Sequence, residues 1–212
     1  MRRESSTVVV LVGAVGNGLL AALRTSPGIS VARAPGAGTE PSAEEPAAAE
    51  QRPDWEAGAL ALREAARRQS MYVIVPEDPL AGVAAEWRAM WDMSAGPGGA
   101  AGFEQQAAEA LAAWRGNRFE LPDYYLVVAP AQGSTVGPDL YLGPLRAVRP
   151  RRVAVAVAGA TDGPGRASRL VDTLTSLEHG PWWPPLDELL EAARRFYAGG
   201  LAETQPGPGV GG

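Results

Sequence analysis

Residues 7–24 read TVVVLVGAVGNGLLAALR, and the architecture turns on how they are taken. A run of β-branched and aliphatic residues reaches a glycine cluster and continues into helix formers. One reading is a strand, a glycine turn and a helix. The other is an export signal, which Arg2, Arg3, the apolar run to Leu23 and the small-residue stretch Ala32-Arg33-Ala34 imitate. Asn17 and the glycines interrupt that run, and Arg24 and Pro27 fall in an overlong gap before the supposed cleavage point. The strand-and-helix reading is preferred. No stretch is long and apolar enough for a membrane span.

If Val8–Val12 is a strand, four similar runs recur downstream, each closed by a turn former. They are Ile29–Ala34, Met71–Pro76, Tyr124–Pro130 and Arg152–Ala158. Most are continuously apolar, which suits strands covered on both faces in a parallel sheet. Helices are predicted at Asn17–Arg24, at Asp54–Gln69 with Asp54 as cap, at Leu80–Met93 and Phe103–Arg115, at Asp139–Val148 and at Leu186–Tyr197. Alternation of this kind predicts an α/β chain with right-handed crossovers: a Rossmann-like three-layer fold, a mostly parallel sheet of about five strands flanked by helices. Residues 1–203 read as a single domain. Residues 35–53, PGAGTEPSAEEPAAAEQRP, read as a mobile Pro/Ala/Glu-rich insertion, and 204–212 as a disordered tail.

Composition removes several chemistries. The 24 acidic side chains outnumber the 19 basic ones for a net charge of −5, which opposes nucleic-acid partners. Every basic residue is arginine, as in chains from GC-rich coding sequence, so Schiff-base chemistry and a phosphate-loop lysine are excluded. With no cysteine and His179 as the one histidine, disulfides and Cys/His zinc sites are excluded as well. The expected location is cytoplasmic, with no membrane partner.

In an open parallel sheet, ligands bind beyond the carboxyl ends of the strands. The first tip is GAVGNG, with Gly13, Gly16, Asn17 and Gly18. Aligned on the dinucleotide fingerprint G-x-G-x-x-G, Gly13 and Gly16 take the second and third glycine positions, but Leu11 stands at the first. The second run ends in Arg33, where an NAD site would want an acid. Close strand–helix packing is the plainer use of these glycines. An anion at the amides near Gly16 and Asn17 is the functional one.

The fourth tip, AQGST, offers Gly133, Ser134 and Thr135 to a nucleotide or other anion. Glu77 and Asp78 of the third tip, with Asp162 of the fifth, are candidate Mg²⁺ ligands; solvated loop acids are the plainer account. A phospho-receiver lacks both the acid pair after the first strand and the lysine. A serine hydrolase would need Ser134, His179 and an acid such as Asp172, without a G-x-S-x-G elbow.

The segment HGPWWPP is stiffened by Pro184 and Pro185. Its two tryptophans, Trp182 and Trp183, are hard to bury together, so one is expected to anchor the segment and the other to meet a partner. The stripe Val83, Trp87, Met90 and Trp91, continuing through Phe103, Leu111 and Trp114, reads as core; the helix pair carrying it could alternatively close as a lid over the strand tips.

Three functions remain. The first is a non-catalytic accessory or regulatory protein, without cofactor, acting on a protein partner or on a second copy of itself. The second is a domain sensing a nucleotide or anion at the strand tips. The third is a divergent nicotinamide-dependent reductase or a Ser134 hydrolase.

Overall fold

In the computed structural model, which describes residues 6–35, 53–91, 98–129, 139–157 and 164–204, the opening stretch is the central strand and its helix. Strand β1 (Thr7–Gly13) leads through Gly16 into α1 (Asn17–Arg24). After β2 (Ile29–Val31) come α2 (Asp54–Ala65), β3 (Tyr72–Val75), α3 (Ala81–Trp91), α4 (Gly98–Arg115) and β4 (Tyr124–Ala129). A π-helical turn (Tyr141–Leu145) then runs into α5 (Arg146–Val148), β5 (Val153–Val157), α6 (Pro164–Thr175) and α7 (Leu186–Thr204).

The five strands pair in the order β2-β3-β1-β4-β5, and every pairing is parallel. The chain is therefore a three-layer α/β fold of Rossmann-like type.

Side-chain alternation along each strand divides the core into two layers. Val9 and Leu11 of β1 join Ile74, Leu126 and Val128 beneath α1 and α6, which contribute Leu19, Leu20, Leu23, Leu170 and Leu174. Val10 and Val12 face the other way with Val73, Val75, Tyr125 and Val127, under α2, α3, α4, α7 and the π-helical turn. Both faces are dry, which explains the continuous apolar runs. Each such Leu or Val contributes about 1.5–3 kcal/mol on burial.

Several boundaries differ from expectation. The second strand stops at Val31, although the Ala32 amide still donates to the Ile74 carbonyl at 2.8 Å. Asp54 does not cap α2: Pro53 occupies the cap position and Asp54 begins the helix. The glycine-rich stretch before Phe103 is not wholly a hinge, because α4 starts at Gly98. A methyl at Gly102 would meet the Glu86 carboxylate of α3, the end of a flexible side chain that can swing aside.

The predicted helix Asp139–Val148 is split. Pro144 has no N–H to donate, Gly143 turns to ψ −105°, and the chain accommodates both with one wide π turn. Helix α6 has no counterpart in the sequence reading. Its burial of Ala167, Leu170 and Leu174 repeats at helical spacing and completes the layer above α1. Residues 36–52 of the insertion and 205–212 of the tail lie outside the described residues.

The tryptophan stripe is core. Trp87 is fully buried, with Phe103 edge-on at 5.8 Å and Trp91 at 5.9 Å, which binds α3 and α4 to the sheet face together. No helix among the described residues is long and apolar enough to cross a membrane.

Candidate functional site

Topology singles out the tip of β1. The connections after β2, β3 and β4 pack on one face of the sheet, whereas α1, which follows β1, packs on the other. With β3 and β4 as its neighbours, β1 is flanked on both sides by the divergence of chain that opens a crevice at a carboxyl rim. The glycine cluster sits at that point and is exposed from Gly13 to Gly18 apart from half-buried Val15.

The three glycines do different work. Gly13 has φ +93°, and a Cβ there would lie 2.6 Å from the Val128 carbonyl oxygen, the same atom that accepts the Ala14 amide at 3.0 Å. It is a packing glycine, required by the approach of β1 to β4. Gly16 and Gly18 have nothing within 4 Å of a Cβ position among the described residues and no positive φ. Nothing in the described residues requires glycine at either.

Gly16 caps α1 with backbone only, and the first turn carries no acid. The amides of Asn17, Gly18 and Leu19, orphaned as at any helix start, have no acceptor among the described residues. Arg166 of α6 leans over the same loop and donates from Nη2 to the Ala14 carbonyl at 2.6 Å. Amides and helix dipole favour an anion at this helix start, and the Arg166 guanidinium stands beside it.

Gly13 and Gly18 enclose four residues, the spacing of the phosphate-cradling loop G-x-x-x-x-G-K-[ST]. The alignment on G-x-G-x-x-G passes over this. Leu19 and Leu20 stand at the lysine and hydroxyl positions, and both are buried against the sheet. The loop presents helix-start amides but carries neither the lysine nor the hydroxyl that would grip a γ-phosphate or a Mg²⁺ ion.

The acids of the third tip are turned inward. Glu77 accepts from Arg33 Nε at 2.8 Å, so the arginine that ends the second run closes on the β3 tip. Its second oxygen, Oε2, is sealed from solvent and has no hydrogen-bond partner among the described residues.

Asp78 is 7% exposed. Its Oδ1 accepts from the Leu80 amide at 3.0 Å and from the Tyr125 hydroxyl at 3.2 Å, and its Oδ2 accepts from the Tyr141 hydroxyl. Burial pushes its pKa up to about 6 against the opposing effect of these bonds. The two tyrosines are raised well above the usual phenol range, first by burial and then by the Asp78 charge.

In this arrangement neither Glu77 nor Asp78 is presented to a cation, and no group of three His, Cys, Asp or Glu suited to a metal occurs among the described residues. Asp162, Gly133, Ser134 and Thr135 lie outside the described residues.

The opposite, amino edge of the sheet is sealed by HGPWWPP. Arg152, 8% exposed, donates from Nη2 to Gly180, from Nε to Pro181 and from Nη1 to Asp123, all at backbone carbonyls and at 2.7, 3.0 and 3.1 Å. Its guanidinium lies between the rings of Tyr124 and Trp182, 5.1 and 4.8 Å from their centroids. Trp183 is buried and donates to the Pro122 carbonyl at 2.8 Å. Trp183 is thus the anchor, and Trp182, 36% exposed, shows one face outward over Arg152.

His179 is exposed on this same edge, its neighbour Glu178 accepting from the Tyr124 hydroxyl at 3.2 Å. Asp172, the acid considered for a hydrolase, is exposed on α6.

A cavity of about 750 Å³ also opens at the amino edge, between α2 and the α4–β4 connection. Parts of its polar lining are engaged internally: Arg63 donates to the Arg118 carbonyl, and Asp123 accepts the Val8 amide. It lies at the wrong end of the sheet for the strand-tip ligands considered above.

Arg152 and the Tyr125–Asp78–Tyr141 cluster were not foreseen in the sequence. The usable signals were an arginine at the head of an apolar run and two tyrosines in core segments, each of which needs a buried partner. No protein-family model matches the chain, and neither a curated protein nor a solved structure matches it.

Proposed function

We propose that the chain is a regulatory or accessory module, acting through protein–protein contacts, that takes an anionic ligand of the nucleotide or phosphate class at the β1–α1 loop. One observation carries the reading. At the strand whose helix crosses to the face opposite its neighbours' connections, an exposed glycine loop ends in three helix amides without acceptors among the described residues, beside Arg166 and with no acid in the first turn of α1. The buried Leu19 and Leu20 favour binding over phosphoryl transfer. The exposed face of Trp182 is the surface put forward for a protein partner or a second copy.

The test is a melting panel with inorganic phosphate, pyrophosphate and nucleoside mono-, di- and triphosphates, run on the wild type and on Asn17→Asp. A ligand at 100 times its dissociation constant adds about 2.7 kcal/mol. Asn17 is exposed in the first turn of α1, so an aspartate there favours the helix by about 0.3–1 kcal/mol while repelling an anion. The expected result is a variant that melts slightly higher alone and does not respond to the ligand. Flat curves across the wild-type panel would sink the reading.

A further inference from the structure

Asp78 and Arg152 are the two buried charged side chains among the described residues, but they are held differently. Arg152 has carbonyls for its donors and rings on both sides. Asp78 has neutral donors only. No guanidinium is hydrogen-bonded or ion-paired to it among the described residues, because Arg33 is engaged by Glu77.

Each donor comes from a different element. The Leu80 amide precedes α3, Tyr125 belongs to β4, and Tyr141 opens the π-helical turn. From α2, Gly58 packs its backbone against Asp78 and Pro79 and brings no charge to that contact. Asp139, just ahead of Tyr141, spends its carboxylate on the Tyr141 and Leu142 amides.

The turn is buried through Leu140, Tyr141, Pro144 and Leu145, but its backbone ladder is irregular: Pro144 donates nothing, Gly143 leaves helical geometry, and the ladder rests on bonds such as Gly143 to Asp139 and Leu145 to Leu140. Tyr141 to Asp78 is the side-chain hydrogen bond that ties residues 139–148 to the sheet's carboxyl end among the described residues.

We propose that Asp78 and Tyr141 form a latch that holds the π-helical turn against the ends of β3 and β4, closed when Asp78 is protonated and loosened when it is ionised. The sign follows from the balance at Asp78. Burial outweighs the three hydrogen bonds, so the closed form prefers a neutral carboxyl, and opening lets water reach the carboxylate. Because the turn carries the chain from the β4 tip to β5, the latch acts on the carboxyl rim without requiring the anion reading.

The measurement is amide hydrogen exchange on the whole chain at pH 5 and pH 8, each rate corrected for its intrinsic pH dependence. A carboxyl moving between about 6 when closed and 3.8 when hydrated makes the latch about tenfold tighter at pH 5 than at pH 8. Protection of the Gly143, Leu145 and Arg149 amides is therefore expected to lie below that of the β4 amides at both pH values, as local opening requires, and to fall about tenfold as the pH rises. Asp78→Asn is expected to abolish the fall. Tyr141→Phe, which removes a bond that stabilises the charged form, is expected to move its midpoint to higher pH. Equal wild-type protection at both pH values, turn amides as protected as those of β4, or an unchanged fall in Asp78→Asn would each overturn the latch.

Discussion

Replacing the three loop glycines by alanine, one at a time, separates what the fold requires from what it leaves open. At Gly13 an alanine meets two costs. The φ of +93° asks an L-residue for a conformation costing roughly 1–2 kcal/mol, and the new Cβ would sit 2.6 Å from the Val128 carbonyl oxygen. That oxygen belongs to a central strand and already binds the Ala14 amide, so it cannot retreat cheaply, and overpacking of this kind adds roughly 1–3 kcal/mol. Gly13→Ala is expected to destabilise by about 2–5 kcal/mol, a fall in Tm of about 2–4 °C for each kcal/mol in a chain of this size.

Gly18 lies in the first turn of α1 with open space around it, so Gly18→Ala is expected to stabilise by up to about 1 kcal/mol. Gly16→Ala is expected to cost at most about 1 kcal/mol, because alanine is a poor cap. Urea midpoints for the three variants, at constant m-value, give the comparison. A Gly13→Ala protein as stable as wild type would refute the close approach of β1 to β4. A Gly18→Ala protein destabilised like Gly13→Ala would refute the open loop.

Other consequences can be checked on the same scale. Arg152→Met strips charged donors from three backbone carbonyls and is expected to cost about 3–5 kcal/mol; Arg152→Lys recovers little, since a point charge cannot span them. Trp183→Phe keeps most of the packing, loses the bond to Pro122, and is expected to lower the urea midpoint by about 1–2 kcal/mol equivalent. Asp78 titrates higher in the folded chain than in the unfolded one, so the folded state holds the extra proton. Stability is therefore expected to rise by about 1.4 kcal/mol from pH 8 to pH 5, and that rise to vanish in Asp78→Asn.

What could be read from the sequence was whatever period and composition encode. Continuous apolar runs announced strands covered on both faces, and all five lie parallel where those runs stand. Arg152 reads as one more polar residue heading a strand, because its partners are backbone carbonyls invisible to composition. Helix α6 was passed over because its apolar residues are spaced among arginines and threonines, a helical stripe in a segment of low mean hydropathy. The cluster at Asp78 joins residues 47 and 63 positions away, which no local pattern reports. At the candidate site the glycines were legible as a loop, but which of them packs and which stands open required the position of the Val128 carbonyl.

The most direct test of the proposed ligand site follows the backbone amides of the loop by NMR during titration with pyrophosphate and with a nucleoside diphosphate. The expected result is saturable shifts centred on Gly16, Asn17, Gly18 and Leu19, with the amino-edge segment at Trp182 and Trp183 unmoved. Loop amides that stay in place while other regions shift, or while nothing does, would contradict the account.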